Sequence, residues 1–176
     1  MKKQKGFSLI ELLIVVAIIL IIAAIAIPNL MRSRMAANES SAVGSLRSIN
    51  TAQVTYSTTW GTGFAAGLVN LGGAAPCAVA TAATACLIDE LLSVTQVKSG
   101  YQFQAAGVNP DPAGNLTGFE VNGWPSTVQR TGVRSFCSDQ SGVIRFVAPS
   151  VGPIGIAAGA CGAVVTAPGV SGPIGN

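Results

Sequence analysis

Hydrophobic positions fall into three regimes along the chain. Residues 7–27 read FSLIELLIVVAIILIIAAIAI and are apolar apart from Ser8 and Glu11, unbroken from Leu12 to Ile27. Apolar residues here follow no period, so a helix built from them is greasy on every side and needs lipid or other helices around it. Twenty-one helical residues span about 31 Å, close to the thickness of a bilayer core. After Pro28 the pattern changes. Met35, Ala42, Leu46, Ile49, Ala52 (or Gln53), Tyr56 and Trp60 recur at spacings of three, four and seven, which predicts an amphipathic helix. Arg32, Arg34, Glu39, Arg47 and several serines fill its other side, and Gly61 and Gly63 end it near Trp60.

Beyond residue 64 the helical period fades. Residues 65–88 are rich in Ala, Gly, Val and Thr and predict a coil-rich loop. Asp89 to Val97 predicts a short helix, because Asp89 and Glu90 suit a first turn. Then the period becomes two. Tyr101 and Phe103 alternate with Gln102 and Gln104, and Leu116 to Val121 carries Phe119 and Val121. Val133 to Cys137 and Val143 to Val147 alternate apolar residues with arginine or serine across the turn Ser138 to Gly142. Three or four antiparallel strands follow. The fold class expected is α+β: one long N-terminal helix, its first half transmembrane and its second amphipathic, packed on a small antiparallel sheet. Residues 146–176 hold no charge and repeat GPIG at Gly152 and Gly172, consistent with an edge strand, loops or a surface packed between subunits.

Charge narrows the function. Of 176 residues only 10% are charged and none is histidine. A Ser-His-Asp triad, a Cys-His dyad and an HExxH zinc site are therefore excluded. With one lysine beyond residue 6 and sparse acids, an enzyme on a membrane stalk is disfavoured. The net charge of +3 comes from Lys2, Lys3 and Lys5, since seven basic and seven acidic side chains follow. No basic surface is left for nucleic acid. The three lysines place the N-terminus in the cytoplasm and the remainder across the membrane. A cleaved secretory signal is the competing reading. Ala24-Ile25-Ala26 fits its A-x-A site, but the apolar run is too long, contains a carboxylate and has no polar region before the alanines. Soluble core helices are seldom so long and so uniformly apolar.

Glu11 is the residue composition does not predict. A carboxylate in a membrane segment is costly unless paired and marks a function by default. A cut between Gly6 and Phe7 would give Phe7 a free α-amine, one helical turn from Glu11. The cut would also put Glu11 in the first turn, where the helix dipole favours negative charge.

The stretch KGFSLIELLIVVAIILIIAAIAIPNL resembles the N-terminus of a type IV prepilin: basic leader, Gly, aromatic residue, Glu four residues on, long apolar run, then Pro. The resemblance implies cleavage by prepilin peptidase between Gly6 and Phe7 and N-methylation at Phe7. It implies that Glu11 neutralises a neighbouring subunit's N-terminal amine during assembly, and that the helix near Pro28 unwinds in filaments. The chain then divides into leader 1–6, filament-core helix 7–28, amphipathic helix 29–62 and a head over 63–176. The partners implied are copies of itself in a helical filament, the prepilin peptidase, the inner-membrane assembly machinery and, before assembly, the inner membrane. The expected destination is an extracellular pilus. The alternative is a pseudopilin of a type II secretion system in the periplasm, which shares the same signal. TGVRSFCSDQSGVIRF resembles the terminal hairpin of some bacterial pilin-like proteins.

Four cysteines beyond a membrane segment indicate an oxidising compartment. Their spacings of 9, 51 and 24 are wrong for zinc, no histidine is available, and no metal or cofactor is expected. Of three possible pairings the preferred one joins Cys77 to Cys86, pinning the loop, and Cys137 to Cys161, tying the tail to the hairpin. Free buried thiols are the alternative. Tyr56, Trp60 and Phe64 recur every four residues and are read as packing of the helix end. Asn38-Glu39-Ser40 and Asn115-Leu116-Thr117 match the glycosylation triplet, a pattern common by chance. Asp111, Glu120 and Asp139 are too dispersed in sequence to suggest a calcium site.

Overall fold

The structure, a computed structural model, describes residues 7–73, 77, 79–150, 152–164 and 169–174. Gly6, the rest of the leader, Pro76 and Gly175 lie outside the described residues. Contacts divide the chain into two units, residues 1–34 and 35–176.

Helix α1 is assigned over Leu9–Trp60. It continues through Pro28 as one helix, as the expected single long N-terminal helix requires. Proline removes one backbone donor and crowds the preceding turn. A helix with many intact bonds on either side still holds its assignment there. In the first unit the apolar side chains are exposed, Leu9 at 74% and Ile18 at 52%. This is the one helix among the described residues long and apolar enough to cross a membrane, with a mean hydropathy of 3.3 in its richest window.

In the second unit α1 buries Ala42, Leu46, Ile49, Ala52, Gln53 and Tyr56 of the predicted stripe, with Met35 and Trp60 at its ends half-buried. Glu39 and Ser45 are buried with them, which corrects their placement on the polar side. Gly61, at φ +64°, ends the helix in a left-handed conformation that glycine adopts without strain. The side chain of Gln53 then acts as a strand partner for the returning chain. Its Oε1 accepts from Ala65 N–H at 2.8 Å and its Nε2 donates to Ala65 O at 3.3 Å. The Tyr56 and Trp60 rings meet tilted at 34° with centroids 4.9 Å apart, while Phe64 meets Phe119 edge-on at 5.0 Å, so these aromatics pack the helix end.

The loop over 65–88 contains a one-turn helix, α2 (Leu68–Leu71), that buries both leucines. The expected helix over 89–97 is instead a π turn at Leu91–Thr95. Asp89 receives the Leu92 N–H at 2.9 Å and pairs with Lys98.

Six antiparallel strands follow in simple sequence order: β1 (Val97–Lys98), β2 (Tyr101–Pro110), β3 (Leu116–Pro125), β4 (Ser135–Asp139), β5 (Arg145–Val147) and β6 (Ser171–Pro173). The four strongest match the alternating segments. β1 and β6 are too short to show a period. Register sorts the faces. Phe103 opposes Gly123, Ala105 opposes Val121, and Phe136 opposes Phe146 on the face that packs with α1. Gln104 opposes Asn122, Glu120 opposes Asp139 and Asn122 opposes Cys137 on the other face. β3 is buried on both faces from Gly118 to Gly123, because the described tail residues 152–164 cover part of the second one. Gly132 fits only because it lacks a side chain, since a Cβ there would strike the Tyr101 hydroxyl.

Candidate processing and assembly site

Each unit presents its own chemistry. In the first, α1 begins at Leu9 with Ser8 just before it, and Glu11 occupies the first turn. Glu11 Oε2 accepts the Ser8 backbone N–H at 3.0 Å, and Leu12 N–H donates to Ser8 O. Ser8-Leu9-Ile10-Glu11 therefore forms the acidic half of a capping box, S-x-x-E ahead of an apolar run. The first four N–H groups of a helix lack internal partners, and a carboxylate is the group their partial positive charge attracts. Phe7 precedes this cap with 76% of its surface exposed. Glu11 is thus aimed at the chain segment where the expected cut would leave an amine. The capping box was visible in the sequence as its four-residue pattern, and it is a local role for Glu11 that the amine argument does not include.

In the second unit, Glu39 is the main anchor of helix to sheet. Its Oε1 takes the N–H groups of Val133 at 2.8 Å and Arg134 at 3.2 Å. Its Oε2 takes the Arg134 Nε and a terminal guanidinium nitrogen, each at 2.7 Å. The Arg134 guanidinium also lies over the rings of Phe136 and Phe146. Burial raises the Tyr101 hydroxyl well above its usual 10, and the charge of Glu39 adds to the rise. Tyr101 therefore stays a neutral donor to Arg134 O at 2.9 Å.

Glu120 does the equivalent work for the tail. Its two oxygens accept from Gly159 N–H at 2.8 Å and Cys161 N–H at 3.1 Å. Burial raises its pKa from the ordinary 4.5, and the facing Asp139 adds to this, against the lowering by those two N–H groups. The register thus brings together two acids that look dispersed in sequence. Beside them Asn122 Nδ2 donates to Gly155 O, and Ser135 Oγ donates to Gly152 O at 2.7 Å. Cys77 is bonded to Cys86, and Cys137 to Cys161. No sequence signal marks Glu120 as a tail anchor, because its partners are backbone groups 39 and 41 residues away.

Both glycosylation asparagines have their amides engaged. Asn38 donates to Thr131 O at 2.9 Å and Asn115 to Asp111 at 3.1 Å. Among the described residues no three His, Cys, Asp or Glu side chains converge as a metal site would require.

Residues 1–27 match the family model described as the prokaryotic N-terminal methylation motif. The chain is 62% identical over 39 residues to the type IV wide pilus major component PilA4 of Thermus thermophilus, covering 22% of this chain and 30% of that protein. The N-terminal segment of the chain is similar to those of type IV pilins. It is also 48% identical over 54 residues to the type IV major pilin protein PilA of Myxococcus xanthus, covering 31% of this chain and 24% of that one. The matches span less than a third of either relative's length. No solved structure matches the chain. The pilin motif, the apolar part of α1 and the α+β head agree with one another, since a long helix packed on an antiparallel sheet is the architecture that the resemblance implies.

Proposed function

We propose that the chain is a structural subunit of a type IV pilus, with no catalytic role. It is made as a single-pass inner-membrane precursor, cut between Gly6 and Phe7, N-methylated at Phe7 and assembled with copies of itself into an extracellular filament. The observation that carries this reading is Glu11, a carboxylate at the head of a helix whose apolar residues are otherwise uniform and exposed. Glu11 fits a filament in which the Phe7 amine of a neighbour supplies its counter-charge. Residues 7–28 then serve as the filament core, 29–62 as the bridge to the head and 63–176 as the outer head, with Pro28 as the point where the helix loosens on assembly. The prepilin peptidase and the assembly machinery are the partners this route requires.

N-terminal sequencing and mass spectrometry of sheared surface material provide the test. The mature chain should begin at Phe7 carrying one methyl group. A chain beginning at Ile27 would indicate an ordinary secretory signal and would overturn the filament reading.

A further inference from the structure

We infer that neighbouring heads in the filament dock Glu90 of one copy against Arg47 of the next. The inference rests on the pilus reading and names a contact within it.

Each head carboxylate except one has a hydrogen-bonding partner among the described residues. Glu39 holds Arg134, Asp89 holds Lys98, and Glu120 takes two tail N–H groups. Asp111 takes N–H groups of its own turn, and Asp139 takes that of Ser141. The exception is Glu90, which is exposed and whose carboxylate makes no bond among the described residues. It stands at the start of the π turn beside Leu91 and Val94, both 52% exposed. The result is a small apolar knob carrying one free negative charge.

Among the described residues three head arginines lack a carboxylate partner: Arg47, Arg130 and Arg145. Arg130 is exposed on a turn whose backbone closes on Thr127 O. Arg145 opposes Cys137 in the register, on the sheet face turned from α1. Arg145 and Arg47 line one groove of about 400 Å³ together with Val143, Ile144, Pro173 and Ile174, but Arg145 is half-buried with its Nε enclosed, whereas Arg47 is exposed. That groove offers apolar walls and a free positive charge, complementary to the knob in both respects. Knob and groove are different patches of one chain. A contact between them is head-to-tail, and such contacts build open helical filaments when the rotation does not close a ring. A second copy is therefore the occupant that the charges select.

Charge reversal in the full-length chain, expressed in its own cell, tests the contact. Sheared filaments are compared for wild type, Glu90→Arg, Arg47→Glu and the double exchange. Both side chains are exposed, so each single variant should reach the membrane at normal level with its disulfides formed. Each should yield at least about tenfold fewer filaments, because like charges then face each other. The double exchange should recover wild-type yield to within about threefold, since it restores the attraction with its sign inverted. Single variants that assemble normally, or a double exchange no better than the singles, would overturn the contact while leaving the pilus reading intact. Absence of filaments from the wild type would sink the pilus reading and the contact with it. Should one single variant fail to accumulate, the other and the double exchange still decide the matter.

Discussion

At the scale of single residues, buried carboxylates determine how the head holds together. Glu39 lies on a helix face that its charge would ordinarily keep in water. It is buried because four donors reach it from residues 133 and 134. Removing one partner of such a cluster strands the others, at a cost of about 2–4 kcal/mol once the partial exposure of Arg134 is allowed for. Glu39→Ala should lower stability by that amount in urea unfolding of the full chain in detergent, and Glu39→Gln by less. Glu120 has the opposite pH signature from an ordinary paired acid. Its folded-state pKa is raised, so the native state releases its proton later than the unfolded chain does. Stability associated with this residue is therefore lost as pH rises from about 4.5 through the raised value. The difference in stability between wild type and Glu120→Gln should shrink as pH increases across that window. Unfolding midpoints of both at pH 4 and pH 8 measure it, and a difference that grows with pH would contradict the assignment. Neither carboxylate's role was legible in the sequence. Spacing reveals partners three or four residues away, whereas these partners lie 39 to 95 residues off.

At the scale of elements, legibility followed length. The second half of the 52-residue helix repeats its period often enough to be read directly, and the two ten-residue strands show theirs over Tyr101–Gln104 and Leu116–Val121. β1 and β6 contain two and three residues, and no period is defined over so few positions. The π turn was misread as an ordinary helix because Asp89 caps both kinds of turn alike. The uncharged composition of the tail was clear, but not what it covers. Residues 152–164 of it lie on β3 and β4, held by Glu120, Asn122, Ser135 and Cys137, while Ser171–Pro173 pairs with β5. Cys137–Cys161 has a sequence separation of 24 and Cys77–Cys86 one of 9. Chain-entropy arguments assign about 3–4 kcal/mol to the longer loop and about 2–3 to the shorter. Cys137→Ser with Cys161→Ser should thus destabilise the head more than the corresponding Cys77 and Cys86 pair. Thermal unfolding of the two double variants compares them directly.

For the molecule as a whole, the first unit and the head meet different demands. The head has its own core and anchors, none of which involves Glu11. Glu11→Ala should therefore leave a processed, disulfide-bonded, membrane-bound chain. It would lose the cap on Ser8, and in the proposed filament it would leave each Phe7 amine buried without a counter-charge. Breaking a buried pair costs about 3–5 kcal/mol, repeated at every subunit. Sheared filaments should fall to a trace while membrane levels persist. Normal filaments would refute the pairing, and degradation in the membrane would show that Glu11 acts on the monomer.

The disulfide connectivity also bears on how the head matures. Each cysteine is joined to the next one along the chain, 77 to 86 and 137 to 161. In the proposed topology the head crosses the membrane behind its helix, so the cysteines arrive in numerical order. An oxidant that links thiols as they appear would make both native bonds at the first attempt. Such a head has no need of an isomerase, because no wrong pair has to be undone by the slow exchange of thiolate for disulfide. A subunit required in many copies can then mature as fast as it is exported.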